Sequence, residues 1–242
     1  NSVFYPGWSD LLGNDMNRKT PLGRGWRGRV EVVLRWLREP HRALVTKDIK
    51  LFWRDTTQWS QFVIFFGIMA VYVASLRDRA SLDTTDWWRP LVICLNIGAC
   101  TLILATLTSR FVFPLISLEG RRFWVVGLAP LTFRQLILQK FWLSVGTTSV
   151  FTISLVILSC SMLNAEPIFF ALSLYCIVIT NFALSGLAVG LGSLFPNFQE
   201  DNPARIVSGM GGTLNFLLSM VYITIVIGAQ STVMIGHSKG LF

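Results

Sequence analysis

Five long apolar runs punctuate this chain, at about Gln61–Leu76, Leu91–Arg110, Phe141–Leu163, Ile168–Leu194 and Thr213–Ala229. A helix needs roughly 20 apolar residues to cross about 30 Å of hydrocarbon, and most of the runs approach that length. The first and last are shorter and would borrow flanking residues such as Trp59 or Gly212. With 52% of the residues hydrophobic and 14% charged, a water-soluble domain of this size is a poor fit. Buried core helices of a large soluble protein are the alternative for any one run. Five in succession, with no alternating strand pattern, point to transmembrane helices and away from a β-barrel.

Charge orients the spans. Of the 21 basic residues, 11 precede the first run, five lie between Arg110 and Lys140, and Arg205 separates the fourth run from the fifth. The segments that alternate with these hold Arg77, Arg79, Arg89 and Lys239. Cytoplasmic loops carry the excess of Lys and Arg, so the amino-terminal segment is expected in the cytoplasm. Trp87 and Trp88 then sit at the outer edge of the second span, where an aromatic belt belongs. The net charge of +8 is accounted for by topology and contact with anionic lipid, without nucleic acid.

The expected fold is an all-α polytopic membrane protein with two parts. Residues 1–42 form a cytoplasmic loop and amphipathic helix, and residues 43–242 the transmembrane domain. Val30, Val33, Leu34 and Leu37 share one helical stripe, and Pro40 interrupts it. A second helix, about Ala43–Trp53, gathers Val45, Ile49, Phe52 and Trp53, while Lys47, Asp48, Lys50 and Arg54 face away. Such a helix lies in the lipid interface or packs on another part of a soluble domain. The chain opens on Asn1 and closes soon after the fifth run, so the sequence reads as a piece of a longer protein.

The segment from Phe111 to Lys140 is the best-defined polar feature. Pro114, Gly120, Gly127 and Pro130 break it into short pieces. Thr132 and Gln135 form a T-x-x-Q capping box, and Leu131 stands to Leu136 as a hydrophobic staple. A helix is therefore expected to start near Phe133 and run into the third span. Upstream, Glu119 to Val126 reads as a short helical turn, with Arg121 and Arg122 able to meet carboxylates and Phe123 and Trp124 able to fill a pocket. A solvated elbow that merely reverses the chain is the other reading.

Within the spans the polar groups are hydroxyls and amides. Ser144, Thr147, Thr148, Ser149, Thr152 and Ser154 crowd the third span, where hydrogen bonding between helices is the expected role. Asn96, Asn181 and Asn215 are expected to bond neighbouring helices rather than a substrate. Gly186 and Gly190 form a G-x-x-x-G pair suited to a close crossing, while Gly211 and Gly212 permit bending or close packing at the fifth span. No Asp, Glu or His lies in the spans, which argues against ion coupling. Cys94, Cys100, Cys160 and Cys176 match no metal spacing and read as packing residues. The sequence contains no G-x-x-x-x-G-K-[ST], H-E-x-x-H or G-x-S-x-G.

Three ordered segments resemble the permease subunits of type-2 ATP-binding-cassette exporters, in particular a bacterial exporter group. They are Lys47-Asp48 to Arg54-Asp55; Leu118-Glu-Gly-Arg-Arg-Phe-Trp124 with Ala129-Pro-Leu131 and Lys140; and Gly192-Ser-Leu-Phe-Pro-Asn-Phe198 with Asn202-Pro203 and Gly211-Gly212. The resemblance implies six spans in the complete domain, an interfacial helix carrying Lys47, Asp48, Phe52 and Arg54, and a cytoplasmic coupling helix. The residues implied for coupling are Glu119, Gly120, Arg121, Arg122, Phe123, Trp124, Pro130, Arg134 and Lys140. It also implies an inner-membrane permease that dimerises and pairs with a separate ATPase subunit. On that expectation this chain holds no cofactor and is not an enzyme, because ATP and Mg sit on the partner. The rival expectation is a non-transporting scaffold that recruits a cytoplasmic protein through the same loop. An intramembrane enzyme is disfavoured by the lack of His and carboxylates in the spans.

Overall fold

A computed structural model describes residues 45–49, positions scattered through 60–75, and residues 88–122, 132–163, 166–200 and 202–238. The chain divides into two compact units, Asn1–Phe52 and Trp53–Phe242. In the first, residues 45–49 are helical, with Val45 and Asp48 buried and Lys47 exposed. Lys47 Nζ lies 3.6 Å from Asp48 Oδ1. Asp48 is thus buried, unlike the outward set expected from the sequence. Phe52 and Arg54 lie outside the described residues.

The elements of the second unit are all helical among its described residues. Its elements are α1 (Trp88–Leu107), α2 (Phe133–Met162), α3 (Pro167–Leu194), the short α4 (Pro203–Val207) and α5 (Met210–Ser238). A π-helical turn, Thr108–Val112, and two 3-10 turns, Phe113–Leu115 and Ser117–Arg122, prolong α1. Four helices among the described residues are long and apolar enough to cross a membrane. The first expected span, Gln61–Leu76, falls where only scattered positions are described; there Phe66 packs on the core, its ring 5.9 Å from that of Phe151.

Local sequence explains the helix ends. The Thr132 side chain accepts the Gln135 N–H while the Gln135 side chain accepts the Thr132 N–H, so α2 starts at the capping box. Pro167 opens α3 at a position where its missing N–H costs nothing. Asn202 caps α4 by accepting the Ala204 N–H, again with Pro at the first turn.

Packing makes α1 the central helix. Two-thirds of its most apolar stretch is buried, against about a third in each of the other three. Cys100, Leu104 and Ala105 of α1 meet Leu155 and Val156 of α2, Ile177 and Leu184 of α3, and Ile223 of α5 in one core. Outward positions such as Leu95, Trp142, Val150, Tyr175, Val221 and Ile225 are exposed although apolar or aromatic. That inversion suits a hydrocarbon surround, where polar backbone must be satisfied internally and apolar side chains face out.

Hydroxyls and amides tie the helices together. Asn181 of α3 donates to the Val145 carbonyl and to Ser149 Oγ, and accepts from Thr148 Oγ1 at 2.6 Å, all on α2. The Asn215 amide on α5 donates to Ser109 Oγ at 2.8 Å. These two asparagines bond neighbouring helices as the sequence leads one to expect. Asn96 does not: both of its polar side-chain atoms are buried without a partner.

Candidate functional site

Four segments converge at one end of the bundle. They are the prolongation of α1, the first turns of α2, the α3–α4 connection and the start of α5. The π-helical turn widens the backbone at Thr108–Val112 and offsets the residues that follow from the α-helical stripe. Phe113, fully buried, then plugs a cluster with Val112, Ile116, Ala188, Val189 and Ile206.

The segment after Phe113 is clasped from two sides. Ser117 Oγ, buried, accepts the backbone N–H of Asn197 at 3.1 Å. Two residues later Glu119 Oε1 accepts from Lys140 Nζ at 2.6 Å, with Lys140 1% exposed and Glu119 6%. A buried ion pair of this length is a charge-assisted bond in a poorly solvated setting. It joins the α1 prolongation to the second turn of α2.

Glycines make the close approaches possible. A Cβ at Gly192 would stand 2.5 Å from the Phe113 carbonyl oxygen, and one at Gly120 would stand 3.0 Å from the Phe198 carbonyl oxygen. At Gly211 it would stand 2.7 Å from Phe195 Cβ and at Gly212 it would strike the Val207 carbonyl. At Gly186 it would meet only the Phe141 ring, at 3.6 Å, and at Gly190 nothing within 4 Å. Tight packing inside this chain therefore falls at Gly120, Gly192, Gly211 and Gly212.

Of the residues expected to couple, Glu119, Gly120 and Lys140 come together in this clasp. Arg121 and Arg122 continue the 3-10 turn, and Arg134 is exposed on the first turn of α2. Phe123, Trp124 and Pro130 lie outside the described residues, as does Leu131 of the expected staple. Phe113, Ser117 and Asn197 are parts of the site to which the sequence analysis gave no role, although Ser117 and Asn197 lie in segments it singled out.

The fold and this clasp define a helical protein with, among the described residues, four helices long and apolar enough to cross a membrane and one end pinned by polar contacts. The chain belongs to the family described as "Putative ATP-binding cassette", whose model matches residues 1–238. No curated protein and no solved structure matches it. The family match overturns the assignment to an exporter permease subunit, because the family is one of ATP-binding cassettes and not of permeases. It equally overturns the expectations that this chain is not an enzyme and that ATP and Mg sit only on a partner. The scaffold alternative gains no support from it.

A bound triphosphate calls for backbone N–H groups around an open glycine turn and a cation free to meet phosphate. The described glycines of the clasp do not provide the first. Phe198, Phe113, Phe195 and Val207 occupy the space beside Gly120, Gly192, Gly211 and Gly212. Lys140, the buried cation, is held by Glu119. Among the described residues the clasp therefore does not fit a nucleotide.

Proposed function

We propose that this chain is a membrane-embedded member of an ATP-binding-cassette system, and that nucleotide-driven motion enters its helix bundle through the clasp. The family membership supports the first half. The buried Glu119–Lys140 pair carries the second: it makes the Ser117–Arg122 turn and α2 move as one body. A push on that turn is then passed to α2 by the pair and to the α3–α4 connection by Ser117, without first deforming the loop.

The basic residues from Arg110 to Lys140, with Arg205, support a cytoplasmic side for this end, facing anionic lipid. The exposed Arg134 supplies a cationic group for acidic groups on other components of the assembly. A second membrane half, paired through the exposed apolar faces of α2, α3 or α5, would complete the bundle.

Spin labels at Arg134→Cys and Gln199→Cys test this in the full chain, reconstituted in bilayers with its co-purifying components. The distance distribution between them should shift on addition of ATP and vanadate. An unchanged distribution in a sample that hydrolyses ATP would overturn the proposal, and so would a sample that neither binds nor hydrolyses it.

A further inference from the structure

Between two well-tied parts of the bundle the chain passes through its least regular turn. Before it, α1 is the central and most buried long helix. Beyond it, the Ser117–Arg122 turn is tied to α2 by Glu119–Lys140 and to the α3–α4 connection by Ser117. The π-helical segment Thr108–Val112 lies between the two, and its backbone is under-bonded. Phe113 donates to the Thr108 carbonyl five residues back, and Pro114 has no N–H to give. The Ser109 carbonyl thereby loses both its α-helical and its π-helical donor. An α-helical path through the turn is closed as well, because the Pro114 ring would press on the Arg110 carbonyl.

A side-chain bond ties this turn to α5. Asn215 Nδ2 donates to Ser109 Oγ at 2.8 Å, with Ser109 4% exposed and Asn215 0%. The neighbouring Thr108 hydroxyl is spent on its own helix, on the Leu104 and Ala105 carbonyls. The Ser109–Asn215 bond uses only part of what the pair offers. Asn215 Oδ1 is buried without a partner, and the Ser109 hydroxyl, an acceptor here, also carries a proton to donate. An amide presents a donor and an acceptor side by side. A small displacement of Ser109 along the Asn215 side chain therefore exchanges Nδ2–H···Oγ for Oγ–H···Oδ1, one bond lost and one made. Asn181 is the contrast, since its amide is consumed by Val145, Thr148 and Ser149.

We propose that Thr108–Val112 is a hinge between α1 and the clasped end, and that Ser109 and Asn215 form its two-position catch. In the position seen here Asn215 holds the turn as donor; in the other it holds the turn as acceptor. The two are closely matched in hydrogen bonding, whereas an Asn215 with neither bond strands a whole amide in a poorly solvated interior. Intermediate positions are thus unfavourable and the two ends discrete. Phe113, immediately beyond the hinge, sets its carbonyl against Gly192 and its ring against Gly211, so movement of the turn bears directly on α3 and α5. The inference uses the pinned clasp and not its drive by nucleotide.

Relaxation dispersion on the full, 15N-labelled chain in lipid nanodiscs, without nucleotide, reads the catch directly. The Asn215 side-chain amide and the Val112 and Phe113 backbone amides should show two-site exchange at one common rate, with none at the Asn181 side chain. Ser109→Ala removes the hydroxyl and should abolish the exchange at Asn215. Pro114→Ala supplies the missing N–H, lets the helix continue and should quench the exchange at Val112 and Phe113. Flat dispersion at Asn215 in the unsubstituted protein would overturn the proposal. So would exchange at Asn215 that persists in Ser109→Ala, or that runs at a rate unrelated to Val112 and Phe113. With no nucleotide in the sample, failure here and failure of the ATP-driven reading are separate results.

Discussion

At the scale of single residues, the Glu119–Lys140 pair decides the most. Breaking a buried pair by neutralising one member leaves the other charge stranded, at a cost of about 3–5 kcal/mol, whereas replacing both members is far milder. Glu119→Gln should therefore lower the thermal midpoint of the bilayer-embedded protein sharply. Glu119→Gln combined with Lys140→Met should recover most of the loss. Equal midpoints for the single variant and the unsubstituted protein would show that the pair does not hold this end. The pair was hard to read from sequence because its members lie 21 positions apart. Each taken alone resembles an ordinary solvated charge in a loop. Asn181 was easier, as an amide facing a hydroxyl-rich neighbouring span has obvious partners.

At the scale of elements, the positions of α1, α2, α3 and α5 follow from apolar run length and from caps. The T-x-x-Q box marks the start of α2 because its two side chains satisfy backbone N–H groups that a helix leaves open. The prolongation of α1 was not legible, since π-helical and 3-10 turns depend on what packs against them. Gly192 illustrates the same limit: only the structure shows Phe113 pressed on it. Gly192→Ala should cost about 1–3 kcal/mol, the usual range for overpacking, because the opposing atom is backbone and cannot swing away. Gly190→Ala, with open space beside it, should be neutral or slightly stabilising through helix propensity. Paired thermal melts of the two variants check this, and equal losses would contradict the packing described.

At the scale of the whole molecule, the four long helices among the described residues carry apolar side chains outside and an ion pair inside, an arrangement compatible with a membrane. The resemblance read from ordered motifs named exporter permease subunits, and the match to a family of ATP-binding cassettes overturns it. Short motifs at helix ends report packing, and packing alone does not say which component of an assembly a chain is. Orientation rests on the basic residues and is open to one direct measurement. A single cysteine introduced at the exposed Gln199, in a chain whose four native cysteines are replaced by Ala, is exposed to a membrane-impermeant maleimide. The account predicts no labelling in intact cells and full labelling in inverted vesicles, because the proposed orientation puts the clasped end inside. Labelling in intact cells would contradict it.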